Sequence, residues 1–159
     1  MTVPAQTVDL VVVIPVGPAA MVDYVLDTVD SVVAYTSPSR RIILADDSRQ
    51  GTAQAVADKV PGIEVVAMPR PHGTGGGLYL TLCRAHAHAL SGRHFRALLR
   101  LDADALVIGP HPERIAIPLF QNTRLAMGGE IYQNNVSVRA RLEDAASPAA
   151  ACARLVGAL

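Results

Sequence analysis

The chain lacks net charge: 14 basic residues balance 14 acidic ones across 159 positions. A protein that grips a polyanion needs a basic face. The nearest thing to one, Arg93, Arg96 and Arg100, straddles a turn and the start of a strand, as ordinary surface does. No nucleic-acid partner is expected. Cysteine is scarce, and Cys83 and Cys152 stand far apart, which leaves nothing to build a disulfide framework. No apolar run approaches the roughly 20 residues that cross a bilayer, so no transmembrane segment is expected. Residues 1–6 carry no charged leader of the secretory kind, and a cytoplasmic protein is the expectation. Lys59 is the only lysine. The chain shows no internal repeat and no low-complexity stretch. It has no Gly-x-Ser-x-Gly elbow and no Cys–His pairing in a catalytic context.

Apolar residues, by contrast, are abundant, at 50% of the chain. A chain of this length and composition can bury a substantial core, and one domain spanning residues 1–159 is expected. Val8 to Val16 (VDLVVVIPV) is a continuous β-branched run, the pattern of a strand covered on both faces. Gly17-Pro18 ends it. Met21 to Tyr35 has helical spacing, with Met21, Tyr24, Val25, Val29, Val32 and Val33 on one face. Arg41 to Ala45 reads as a second strand, Thr52 to Val60 as a short helix closed by Pro61-Gly62, and Ile63 to Met68 as a third strand. A Pro/Gly-rich loop over 69–77 leads into a helix from Leu78 to Leu90, and Phe95 to Leu101 makes a fourth strand. Strands separated by helical segments imply right-handed βαβ units. The fold class is therefore α/β, an open, doubly wound, mainly parallel sheet with helices on both faces. Beyond Pro112 the pattern weakens: Arg124 to Tyr132 offers another strand, and 138–159 mixes helix formers with Pro148.

In such sheets ligands bind beyond the carboxyl ends of the strands, near the point where strand order reverses. Three unusual segments fall there: Pro15-Val16-Gly17, Asp46-Asp47-Ser48 and Asp102-Ala103-Asp104. In extended chain Asp102 and Asp104 point the same way, and Ala103 between them leaves room. Two carboxylates this close repel. A divalent cation relieves that repulsion, and magnesium-type sites use one or two carboxylates completed by phosphate and water. The plainer alternative is a solvated turn in which each Asp caps backbone amides. For Asp46-Asp47 the alternative is a capped strand-to-helix turn.

His72-Gly73-Thr74-Gly75-Gly76-Gly77 precedes a helix and can present backbone N–H groups to an anion, or simply allow tight packing of helix on sheet. It is not a Walker A loop, since no Gly-Lys-Ser/Thr follows. Nor is it a dinucleotide fingerprint, since it follows the third strand. His86 and His88, two apart on a helix, do not share a face and read as surface or satisfied core residues. Cys83 reads as a small core hydrophobe.

The segments VVVIPV, RIILADDSRQGT and LLRLDADALVIGP resemble, in order and spacing, the first, second and DXD motifs of family 2 glycosyltransferases of the GT-A fold. The resemblance covers about residues 8 to 132. It implies a domain that binds a nucleotide-diphospho-sugar donor with Mg²⁺ or Mn²⁺ as cofactor. Carried onto this chain, it implies that Pro15 and Val16 line the base and ribose pocket through their backbone. Asp47 would accept a hydrogen bond from the base while Asp46 braces the loop. Asp102 and Ala103 would lie beside the ribose and metal, and Asp104 would ligate the metal on the diphosphate. The Gly-rich segment, Gly73 included, is similar to one near the donor sugar. Two departures stand out. Gly17-Pro18 follows the first strand where a Tyr-Asn-like pair is usual, and the DDSRQGT loop is one residue short. Both leave the base unassigned.

The implied reaction is an inverting transfer to an unknown acceptor, with a carboxylate as base. The candidates for that base, downstream of the DXD turn, are Glu130, Glu143 and Asp144, none in a recognisable motif. An alternative is a nucleotide-sugar-binding module without turnover, completed by a partner, a missing C-terminal region or a second copy of itself. A sugar-phosphate nucleotidyltransferase would need a Gly-rich loop with a basic residue directly after the first strand, and Gly17-Pro18-Ala19-Ala20 provides neither. Four strands and the DXD turn take the chain to about residue 110, leaving under fifty residues to finish the sheet, bind an acceptor and supply a base, so an incomplete acceptor region is expected.

Overall fold

A computed structural model of the chain describes residues 7–73, 76–91, 94–122, 132–133 and 136–137. The chain divides into two compact units, 1–113 and 114–159. The first holds strands β1 (Val8–Val16), β2 (Arg40–Asp46), β3 (Ile63–Ala67) and β4 (Phe95–Arg100). Between them lie helices α1 (Val22–Tyr35), α2 (Thr52–Ala57) and α3 (Gly76–Leu90). All strand pairs are parallel, in the order β3-β2-β1-β4.

That order explains where the helices lie. Right-handed crossovers that step the same way across a sheet place their helices on the same face. The β1-α1-β2 and β2-α2-β3 units step outward together. The connection from β3 back to β4 reverses direction, so α3 crosses the other face, over β2 and β1. Strand alternation separates the two cores. Val11 and Val13 of β1 and Ile43 and Ala45 of β2 pack with Leu82, Ala85 and Ala89 of α3. Val12, Ile14, Ile42 and Leu44 point the opposite way and are buried as well. With both faces covered, β1 has to be apolar throughout, which is why its sequence shows no alternation.

Two expectations about helix faces need correction. In α1 the buried stripe is Val25, Thr28, Val29 and Val32, whereas Met21, Tyr24 and Val33 are exposed. Thr28 occupies a stripe position because its hydroxyl has work to do elsewhere. Cys83 is exposed and not a core residue. The face of α3 turned to the sheet is set by Leu82, Ala85 and Ala89, and Cys83 lies one position off that stripe. His88 pairs with Glu64 at 2.9 Å. Glu64 is also gripped by Arg41 at 2.7 and 2.8 Å, which ties β2, β3 and the end of α3 together. The Arg41 guanidinium, aided by His88, holds the Glu64 carboxyl down at about 2, and Glu64 in turn raises Arg41.

The second unit begins within α4 (Pro112–Asn122), a helix the sequence pattern does not announce because Pro118 interrupts it. It also holds a short antiparallel pair, β5 (Tyr132–Gln133) and β6 (Val136–Ser137). Residues 124–131 of the suggested fifth strand, and 138–159, lie outside the described residues. No helix among the described residues is long and apolar enough to cross a membrane.

Candidate functional site

Strand order reverses between β1 and β4, and there the ladder opens. The last register pair joining them is Val13↔Arg100, while β1 runs three residues further alongside β2, to Val16↔Asp46. Pro15 lies in this overhang. It lacks an N–H, but the edge facing β4 is already open there, so no ladder bond is lost on that side. Pro15 and Val16 are both buried. The Val16 carbonyl accepts the Asp47 N–H at 2.9 Å, and Ala20 N–H bonds Gly17 O at 3.0 Å to form the turn after the strand.

Beyond Arg100 the chain leaves the sheet. Leu101 N–H still bonds Val13 O at 3.1 Å, and Ala105 N–H then bonds Asp102 O at 3.1 Å. Asp102-Ala103-Asp104 is therefore a turn and not extended strand. The same-side alternation expected for the two carboxylates does not apply, because hydrogen bonding from residue 102 to 105 reverses the chain between them. Both acids are exposed, and Ala103 is half-buried. Helix α1 holds the turn in place. Buried Thr28 donates to Ala103 O at 2.9 Å, and Ser31 Oγ accepts from Val107 N–H at 3.0 Å. Asp102 pairs with Arg100, at the end of β4 just before the turn. Both partners are well exposed, so this pair contributes little stability.

The Asp46-Asp47 loop is bonded throughout. Asp46 Oδ1 accepts from Ser48 N–H at 2.9 Å, bracing its own loop. Asp47 reaches the next loop: Oδ1 accepts from His72 N–H at 2.7 Å and Oδ2 from Gly73 N–H at 2.8 Å. Its carboxylate is 4% exposed, and the His72 ring Nδ1 stands 3.5 Å away. Gly73 takes φ +74°, a conformation L side chains avoid. A Cβ on Gly77 would lie 2.0 Å from the His72 carbonyl, so the start of α3 can approach this loop only as glycine. Gly73 thus has a conformational reason for its identity and Gly77 a packing one.

Between the β2 and β3 loops lies a cleft of about 340 Å³, lined by Asp46, Asp47, Ser48, Arg49, Met68, Pro69, Arg70 and Pro71. Arg49 and Arg70 are exposed, and no residue described in the structure pairs with either. Sequence reasoning passed over both. Arg49 stands directly after the acidic loop and Arg70 between two prolines, a placement that only the parallel pairing of β2 and β3 makes meaningful. Thr28 and Ser31 were also missed, because a polar residue within a helical stripe carries no label saying what it holds.

The sheet edge therefore brings together the ends of β1, β2 and β4, with the Asp46-Asp47 loop and the Asp102–Asp104 turn on either side of β1. Glu130, Glu143 and Asp144 lie outside the described residues. No group of three or more His, Cys, Asp or Glu suited to a metal ion occurs among the described residues. Asp102 and Asp104 do offer hard, exposed oxygens of the kind that binds a cation jointly with phosphate.

Comparisons with known proteins agree with this architecture. A search of curated protein sequences finds no match. Among solved structures, the crystal structure of S. aureus TarS 1-349 superposes with a TM-score of 0.53 at 16% identity, covering 79% of this chain and 38% of that one. At that identity the likeness shows the fold alone, a GT-A-like α/β sheet, and the chain spans well under half the length of that relative. The sequence model of glycosyl transferase family 2 matches residues 11–144, which takes in most of β1, the Asp46-Asp47 loop, the Gly-rich segment and the Asp102–Asp104 turn. The chain belongs to glycosyl transferase family 2.

Proposed function

We propose that this glycosyltransferase domain binds a nucleotide-diphospho-sugar across the carboxyl edge of its sheet and transfers the sugar with inversion. One observation supports this above the others: the ladder opens between β1 and β4 with acidic loops on either side, at the reversal point where parallel α/β sheets bind nucleotides. The nucleoside lies against the overhanging end of β1, with backbone of Pro15 and Val16 beside base and ribose. Asp46 braces its loop. Asp47 fixes the Gly73 loop, and each of its oxygens keeps a second lone pair for a base N–H. The diphosphate lies at the 102–105 turn, beside Asp102 and Ala103, with Asp104 and Asp102 as the residues that would hold Mg²⁺ or Mn²⁺. A bound cation would supply Lewis-acid stabilisation of the leaving diphosphate.

In the transfer, an acceptor oxygen forms the new bond to the anomeric carbon as the carbon–phosphate-oxygen bond breaks. The nucleoside diphosphate leaves, and the acceptor proton passes to a carboxylate base. Glu130, Glu143 and Asp144 are the candidates for that base. Thr28 and Ser31 keep the turn rigid, so that the acids need not reorganise on binding.

Calorimetry with UDP, GDP and dTDP tests the reading. At least one should bind in the presence of Mn²⁺, and a chelator should abolish most of that binding. Asp104→Asn should weaken diphosphate binding only when metal is present. Affinity that metal leaves unchanged refutes the role given to the turn. Absence of binding by all three nucleotides refutes the donor site.

A further inference from the structure

After the acidic turn the chain runs back along α1, and no packed side chain holds it there. None of residues 101–112 is buried, and Leu106 and Ile108 are 55% and 88% exposed. Fully extended, the chain from 103 to 111 would reach roughly 26 Å. Its contacts on α1, at Thr28 and Tyr35, lie only about 10 Å apart along the helix. Tension therefore does not hold the segment, and its position depends on hydrogen bonds. The first of these is shared: Thr28 has one hydroxyl proton for two carbonyls, Ala103 O at 2.9 Å and Tyr24 O at 3.0 Å. Ser31 Oγ then accepts from Val107 N–H at 3.0 Å.

The segment is locked at its far end. His111 N–H donates to Tyr35 O at 2.6 Å, filling one of the carbonyls that the end of α1 leaves open. It does so at φ +56°, between Pro110 and Pro112, a left-handed conformation that is costly for a residue with a side chain. Glu113 holds it there. Its Oε1 accepts from Ser37 N–H, just beyond α1, and bonds His111 Nδ1, each at 3.0 Å. The Glu113 side chain is 2% exposed, and its Oε2 has no partner among the described residues. Burying a half-satisfied carboxylate is unfavourable, and an apolar residue would fill the same space without that penalty. What the acid contributes is geometry: one oxygen joins the loop after α1 to the end of the returning segment.

Resting on the donor-site reading above, we propose that Glu113 is a positioning residue for the acidic turn. By joining Ser37 to His111 it locks residues 103–113 along α1, and so fixes where Asp102 and Asp104 present their oxygens to a cation on the diphosphate. It acts through the backbone, not by contact with nucleotide or cation.

Calorimetry on the full chain with UDP, GDP and dTDP, each with Mn²⁺ and with chelator, tests this, with thermal melts alongside. Glu113→Leu should cut the gain in affinity that Mn²⁺ gives by about 3- to 30-fold and leave affinity in chelator unchanged. Glu113→Gln keeps an acceptor oxygen for Ser37 and His111 and should recover most of that loss. His111→Asn tolerates the left-handed backbone and keeps the bond to Tyr35, but removes the ring, and should lose part of the gain. A Glu113→Leu protein that melts early yet keeps the full Mn²⁺ gain refutes the proposal, since Glu113 then only caps the end of α1. Equal losses with and without Mn²⁺ refute it too, as does a glutamine variant as impaired as the leucine one. Should Glu113→Leu fail to fold, an unchanged Mn²⁺ gain in His111→Asn refutes it. All of these results leave the donor site standing. A wild-type chain that binds no nucleotide, or binds it no better with Mn²⁺, refutes the donor-site reading and the positioning role together.

Discussion

Replacing Asp47 by alanine removes the one carboxylate that joins the β2 loop to the loop before α3. Two hydrogen bonds to a charged acceptor are lost, at 2.7 and 2.8 Å. Such bonds are each worth about 1.5–3 kcal/mol when the acceptor is ionised. His72 and Gly73 are half-buried rather than sealed, so water can reach part of what is left unpaired, and a total loss of about 2–4 kcal/mol is expected. At about 3 °C per kcal/mol for a chain of this size, the melting midpoint should fall by about 6–12 °C. Asp46→Ala is the control, because it loses a single bond, to Ser48 N–H, and should cost about 1 kcal/mol. Thermal melts followed by far-UV circular dichroism would measure both. Nucleotide affinity should fall along with stability in Asp47→Ala, since the loop it ties carries Arg70 and Gly73. An Asp47→Ala protein that melts with the wild type would refute the tie, and any remaining loss of binding would then belong to a direct contact with the base.

Three further outcomes follow from the packing around the site. Thr28→Val should cost about 1–2 kcal/mol by leaving the Ala103 carbonyl without its donor, and should weaken metal-dependent nucleotide binding more than metal-free binding; calorimetry on a folded variant separates the two. Gly77→Ala sets a methyl group against the His72 backbone carbonyl and should destabilise by about 1–3 kcal/mol, read as a shift in urea midpoint. The Arg41–Glu64 pair predicts a pH dependence. The Glu64 carboxyl is held at about 2 in the fold against an ordinary 4.5, so its contribution is complete above pH 4.5 and lost as pH falls towards 2. Wild-type melting temperature should drop through that window more steeply than that of Arg41→Met; parallel curves would refute the pairing.

Much of the first unit is legible in the sequence because its elements obey simple periods. The β1 run has no alternation, and this is what a strand covered on both faces requires; that β2 and β4 lie on either side of it is set by the topology and not by the local pattern. Element ends differ by a few residues at most: β2 runs through Arg40 and Asp46, and α2 stops at Ala57. Helix faces were harder to read. Apolar spacing in α1 suggests that Met21, Tyr24 and Val33 turn inward, yet tertiary packing selects the stripe that includes Thr28. Hydropathy cannot rank a threonine that bonds a distant carbonyl above an exposed tyrosine. Cys83 shows the same effect on α3, where one position off the buried stripe is enough to expose a residue its type would bury.

The site was legible in its placement and not in its geometry, and the acids show why. That Asp46-Asp47 and Asp102–Asp104 lie at strand ends follows from local pattern plus the rule for parallel sheets. What their oxygens do depends on partners far away in sequence: Asp47 on His72 and Gly73, 25 and 26 residues on, and the 102–105 turn on Thr28, 75 residues back. No local window contains both ends of such a bond. The consequence differs for the two acidic segments. Asp47 is buried and each of its oxygens already holds one backbone donor, so it shapes the site whether or not a base touches it. Asp102 and Asp104 are exposed, and Asp102 has only a solvent-screened arginine as partner. In the proposed donor site, a carboxylate pair that contributes little to stability is left for a cation, and the hold of α1 on the backbone between the two acids would fix where that ligand lies. On that proposal, binding chemistry falls to residues that stability does not need, on a turn that stability does.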